Sequence, residues 1–165
     1  VGEDSIMAQR IDVSKQTKNP YMFSAYRSTD VGTADGGLYT VVYDTELFDI
    51  SNNYNNATGV FTAPVTGYYQ ISSSAKIVGN TGTAWLWSAS TELMVNGNAV
   101  DMSHLYVYDQ GRFTFYIAKT SNLYLLQAGD TVSVRASGDT QNGTNFTVAG
   151  GRAVTSFSGF LTTPA

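Results

Sequence analysis

His104 is the only imidazole in the sequence and the only side chain whose ordinary pKa lies near neutrality. A hydrolytic triad would have to use it as the base. No G-x-S-x-G elbow accompanies it, and the serines stand in strand or turn contexts. His104 is therefore expected to be structural or at the surface. The chain has no cysteine, which rules out thiolate nucleophiles, disulfides and zinc–cysteine sites. One histidine without an H-E-x-x-H pattern cannot make a zinc site either. Gly79-Asn80-Thr81-Gly82-Thr83 and Gly150-Gly151-Arg152 are glycine-rich, but no helix follows whose N-terminus could hold a phosphate, so they read as turns. Asp30, Asp35, Asp101, Asp109 and Asp139 fall in expected loops, where a hard cation such as calcium could find oxygen ligands. Their spacing matches no EF-hand loop, and solvated loop carboxylates are the competing reading. With no acid–base pair and no activated nucleophile, the sequence predicts a protein that is not an enzyme and needs no cofactor.

Tryptophans are the side chains with most to offer. Trp85 and Trp87 flank Leu86, so on a strand they share one face beside a Gly/Thr loop. Exposed there, they would stack on sugar rings or anchor a protein partner; turned inward, they would plug the core or a subunit seam. With Tyr106 and Tyr108 they make up the candidate ligand-binding set. Tyr-, Asn- and Ser-rich loops suit adaptable polar recognition, but the same residues also solubilise a protein poor in charge.

Charged residues are only 13% of the chain, so Ser, Thr, Asn, Gln and Gly must supply the polar surface. That mixture favours strands and turns. A net charge of −4 with nine scattered basic residues leaves no basic stripe for nucleic acid. No apolar run approaches the roughly 20 residues of a membrane helix, so no membrane insertion is expected. The opening Val1-Gly2-Glu3-Asp4 is neither a signal peptide nor a Met start, which suggests a fragment or processed product. Residues 1–20, closing at Asn19-Pro20, read as a linker or the end of a stalk, and 21–165 as one globular head.

Period-2 patterning dominates from Tyr21 onward. Phe113, Phe115 and Ile117 face one way, with Thr114 and Tyr116 facing the other. Val132, Val134 and Ala136 alternate with Thr131, Ser133 and Arg135. Further strands are expected at Met22–Arg27, Leu38–Phe48, Val60–Thr62, Tyr68–Ile77, Ala84–Val95, Leu105–Tyr108, Leu123–Leu126, Asn145–Ala149 and Val154–Thr162. Asp35-Gly36-Gly37, Thr66-Gly67, Asn96-Gly97, Gly129-Asp130 and Asn142-Gly143 provide turns between them. No stretch has a 3.6 period with caps, so the fold class is all-β, a sandwich or jelly roll of about ten strands.

Six pieces, in order, resemble the C1q/TNF-like family of globular domains. They are Phe23-Ser24-Ala25, the block Val41–Asp44 with Asn52-Asn53-Tyr54, the run Thr58–Tyr69, Leu93–Gly97 with its Asn96-Gly97 turn, Leu126–Val132 around Gly129-Asp130, and Phe157–Leu161. The resemblance spans about residues 21–163. It departs at Asp49, where the family usually has Asn, and in lacking a Gly-X-Y stalk repeat. It implies a ten-strand jelly roll that assembles as a homotrimer, the first and last strands lying centrally in a sheet that faces two neighbours. Tyr26, Tyr116 and Phe160 are the residues expected at that trimer interface, an ordinary intrachain or surface role being the alternative. Gly159 is expected to permit close approach of a neighbouring backbone.

These expectations converge on a receptor-binding head of a fibre or surface protein, located outside the cell or on a virion, recognising a cell-surface glycan or protein. Low charge, no cysteine and Asn/Thr/Gly-rich loops point to a phage or bacterial source. The other reading is structural, a domain that trimerises and caps a fibre, spike or capsid without a ligand.

Overall fold

The structure is a computed structural model and describes residues 21–79, 85–107 and 113–165. Within them the chain forms thirteen strands and no helix: β1 (Met22–Tyr26), β2 (Val31–Thr33), β3 (Tyr39–Thr40), β4 (Thr45–Asp49), β5 (Tyr54–Asn55), β6 (Val60–Thr62), β7 (Gly67–Gly79), β8 (Leu86–Val95), β9 (Asn98–Tyr106), β10 (Phe115–Leu126), β11 (Thr131–Thr140), β12 (Phe146–Ala149) and β13 (Ser156–Pro164). The excess over ten comes from two- and three-residue pieces such as β2, β3 and β5.

All pairings are antiparallel, and two sheets pack face to face. In the first, β7 takes β10 along one whole edge, from Val78↔Phe115 to Gly67↔Leu126. A strand has only two edges, so β12 and β13 lie end to end along the other, opposite Gly79–Lys76 and Ser74–Gly67 respectively. β1 follows β13, β4 follows β1, and β2 pairs with β12. In the second sheet β11 is central, with β8 and then β9 on one side and β6 and β3 sharing the other.

Alternation fills the space between the sheets. Tyr69, Ile71, Ala75 and Ile77 of β7 meet Val132, Val134 and Ala136 of β11 in one buried core. At its centre Phe23 stacks on Tyr54 and Phe61 with ring centroids 5.0 and 4.7 Å apart, and the Phe157 ring meets it edge-on at 4.9 Å. Buried phenols need acceptors. The Tyr54 hydroxyl donates to the Tyr43 carbonyl at 2.9 Å, and that of Tyr43 to the Ser74 carbonyl at 3.3 Å. Burial pushes the pKa of both phenols well up, so they stay protonated donors.

Two motifs interlock. Asn96 and Gly97 both adopt positive φ, +49° and +80°, as a two-residue hairpin turn demands. The Asn96 amide donates to Asp130 at 2.8 Å, while its oxygen accepts the Thr131 N–H at 2.9 Å. Asp130 also accepts the Gln127 N–H, and the two bonds hold its carboxyl below the usual range.

Several expected boundaries move. Phe115–Ala118 and Leu123–Leu126 belong to one continuous strand, β10, while Phe113 makes only an isolated bridge to Leu86. The stretch Leu38–Phe48 breaks around Val41–Asp44, where Val41 and Tyr43 plug the core. Asp101, expected in a loop, lies inside β9, an edge strand whose polar residues disguise it. Asp49 accepts the Tyr54 N–H at 2.7 Å and thereby closes the β4–β5 turn. Gly159 is corrected most sharply: its missing Cβ points into the core, where it would meet Ile71 at 2.6 Å and Phe23 at 2.8 Å. The close approach it permits is within the chain.

Candidate functional site

Two surfaces stand out. The first is the solvent face of the β4–β1–β13–β7–β10 sheet. Register aligns its outward side chains in rows: Met22–Phe160–Gln70–Leu123, then Ser24–Ser158–Ser72–Ser121, then Tyr26–Ser156–Ser74–Lys119. Phe160 is 45% exposed, and Tyr68, Leu123 and Leu125 beside it are exposed as well. Of the expected interface residues, Tyr26 and Phe160 share this face. Tyr116 does not: it lies on the opposite side of β10 from Phe115 and Ile117, packed against the core, its hydroxyl 3.0 Å from Ser103 of β9. With the Tyr124 hydroxyl donating to Asp101 at 2.9 Å, it stitches the β9 and β10 edges together. Burial first, and the Asp101 carboxylate second, push the Tyr124 phenol up.

The second surface is at the start of β8. Thr140 pairs with Leu86 and Asp139 with Ser88, which leaves Trp87 as the extra residue of a bulge. The bulge turns its indole outward, 44% exposed, while Leu86 beside it is fully buried. Leu86, not a tryptophan, fills the core here. Trp85 is half-buried just before the strand, its carbonyl accepting the Gln141 N–H at 2.8 Å. Tyr106, 45% exposed at the end of β9, pairs with Ser88, and the Trp87 carbonyl accepts the N–H of the next residue, Val107. The exposed His104 ring lies 6.4 Å from that of Tyr106. Trp87, Tyr106 and His104 thus come together; Tyr108 lies outside the described residues. Sequence reasoning offered no reason to add His104 to this group, because its membership depends on β9 pairing with β8.

This aromatic group sits far from the ends of the described chain. Tyr21 and Pro164 lie at the Gly67 end of β7, whereas Leu86 bonds to Phe113 beside the Gly79 end. β7 has thirteen residues, which at about 3.3 Å each puts roughly 40 Å between the two ends.

The loop aspartates have structural uses. Asp30 accepts the Gly150 N–H, and Asp35 accepts both the N–H and the hydroxyl of Thr140. Asp109 lies outside the described residues. Among the described residues no three His, Asp or Glu gather as metal ligands would. No helix there is long and apolar enough to cross a membrane.

A two-sheet jelly roll with interlocked hairpin turns defines a globular domain of the C1q/TNF type. The C1q domain model matches residues 22–162, and the chain belongs to that family. Its fold is similar to that of an Eiger TNF from S. frugiperda (10% identity, 90% of this chain and 96% of that one, TM-score 0.67). The globular domain of zebrafish complement 1qA is also similar (16% identity, 88% and 99%, TM-score 0.61), as is murine APRIL (9%, 85% and 97%, 0.59). No curated protein sequence matches the chain. Domains of this kind are typically trimeric receptor-recognition heads, generally non-enzymatic and extracellular.

Proposed function

We propose that this domain is the homotrimeric head of a phage or bacterial fibre or surface protein, and that it recognises a cell-surface glycan or protein receptor with the aromatic group Trp87, Tyr106 and His104. One observation carries the reading: the bulge at Trp87 exposes an indole at the end of the sandwich remote from the chain's entry and exit. A large apolar ring held out on a rigid strand costs solvation in the free protein, and stacking on a sugar face or seating in a protein pocket recovers it. Three heads repeat the site, so avidity compensates for a weak single contact. Trp85, half-buried just before β8, and Tyr108 complete the expected set.

The test is a glycan array and a host-cell binding assay with the purified protein, alongside Trp87→Ala and Tyr106→Ala. Binding that falls at least tenfold in either variant, with mass and melting temperature unchanged, supports the reading. Equal binding by all three proteins overturns it.

The structural reading also has an observation in its favour. The exposed Phe160, Leu123, Leu125 and Tyr68 make an apolar patch that three copies would hide with no ligand involved. Deleting the domain from its parent separates the readings: fibres that fail to assemble support the structural role, whereas intact fibres that no longer attach support recognition.

A further inference from the structure

The polar middle of the first sheet's solvent face contains a pocket of about 260 Å³ whose lining is unusual in kind: the hydroxyls of Ser72, Ser74, Ser121, Ser156 and Ser158, one ammonium and a single methyl group, while Ser73 and Thr120 beneath them bond to each other at 2.7 Å on the buried side of the sheet. The ammonium is Lys119. No carboxylate lines the pocket, and the aligned rows of this face, from Met22 to Lys119, contain none, although acids outnumber bases in the chain, 13 to 9. The other lysine of the face, Lys76, lies over the Phe115 ring at 4.6 Å. Among the described residues Lys119 has no partner.

The hydroxyls are joined in pairs across the ladders. Ser74 accepts the Ser156 N–H at 3.2 Å and lies 3.1 Å from the Ser156 hydroxyl. Ser121 accepts from the Gln70 amide at 3.2 Å and lies 2.7 Å from the Ser72 hydroxyl. In the arrangement that uses each oxygen once in each sense, Ser74 donates to Ser156 and Ser121 to Ser72. The protons of Ser156 and Ser72 then remain unspent at the ends of two polarised chains. The hydroxyl of Ser158, in register with Ser72 across the β13–β7 ladder, has no hydrogen bond among the described residues. In that arrangement three hydroxyl protons, of Ser72, Ser156 and Ser158, share with one ammonium a concave site lined by no carboxylate. Donors so placed match the oxygens of a small polyvalent anion, with charge-assisted bonds supplying the strength.

We propose that the pocket around Lys119, Ser72, Ser156 and Ser158 binds a small tetrahedral oxyanion of the sulfate or phosphate class. The site is complete in one chain and stands whether or not the domain trimerises. If three copies bury this face, the anion also neutralises three ammonium groups that would otherwise lose their hydration unpaired.

Thermal melting and calorimetric titration with sodium sulfate and with sodium phosphate, each against sodium chloride at equal ionic strength, test the proposal on the whole domain. Particle mass is measured in parallel, so that failure of the trimer reading registers separately. Sulfate or phosphate should raise the melting temperature above the chloride control and give a saturable heat. Lys119→Gln should weaken that binding at least tenfold and Ser158→Ala several-fold, while Lys76→Gln should leave it unchanged. The absence of an anion-specific shift in the wild type, or its full retention in Lys119→Gln, overturns the proposal.

Discussion

Phe160→Ser is the most informative perturbation of the proposed assembly. The ring points away from the core, in register with Met22 on one side and Gln70 on the other, and is 45% exposed. An aromatic side chain carries about 150–250 Å² of area, so roughly 70–110 Å² of this ring faces solvent in the single chain. At about 25 cal/mol per Å², covering it is worth roughly 2–3 kcal/mol per protomer. Three rings give roughly 5–8 kcal/mol, and each 1.4 kcal/mol is about tenfold in an equilibrium constant. The trimer dissociation constant should therefore rise by about 10⁴ to 10⁶. Sedimentation equilibrium over nanomolar to micromolar concentrations measures this directly: the wild type should run as three chains and the variant largely as one at the same concentration. Circular dichroism should remain that of a β protein, because Phe157, Gly159 and Leu161, which face inward, are untouched. Phe160→Leu, which keeps an apolar group, should recover most of the association. A wild type that stays a single chain at micromolar concentration refutes the reasoning, as does a variant that assembles as tightly as the wild type.

Three further outcomes are expected. Leu86→Ala should destabilise the domain by about 2–5 kcal/mol, since it empties a fully buried site, whereas Trp87→Ala should cost less than about 1 kcal/mol; denaturant titration compares them, and similar losses would place the indole in the core. Gly159→Ala should cost about 1–3 kcal/mol by crowding Ile71 and Phe23, while Gly32→Ala, whose Cβ meets nothing within 4 Å, should melt like the wild type; an unchanged Gly159→Ala would refute the inward reading. Burial works to raise the Asp44 carboxyl, but hydrogen bonds from Ser28 and Thr45 and the Arg27 charge outweigh it and hold it below the usual 3.8. The unfolded chain then binds the proton more readily, so this contribution is complete above about pH 5 and disappears as pH falls through the lowered folded value. Asp44→Asn should flatten the loss of stability between pH 5 and 3, and an unchanged acid slope would count against the bond network around Asp44.

Much of the architecture was legible in the chain because a sheet imposes a period of two. The alternation Val132, Val134, Ala136 marked the inner side of β11, and Asn96-Gly97 marked a turn that only residues tolerating positive φ can make. The candidate site was less legible. Trp87 and Leu86 are neighbours of similar apolar character, and no rule of alternation says which faces the core once a bulge intervenes. The bulge exists because β11 and β8 pair out of step at Asp139 and Thr140, a relation between residues some fifty positions apart.

The same division separates the two kinds of information throughout. Sequence alone determined that the protein is all-β, where most of its turns fall, that it has no cysteine chemistry, and which family it resembles, since these follow from local stereochemistry and composition. Only the tertiary structure decided that Gly159 makes room for Phe23, that Tyr116 serves the β9–β10 edge, and that Lys119 sits among hydroxyls with no acid nearby. Each of these depends on which strands become neighbours and in what register, and a one-residue slip would turn every such side chain to the opposite face.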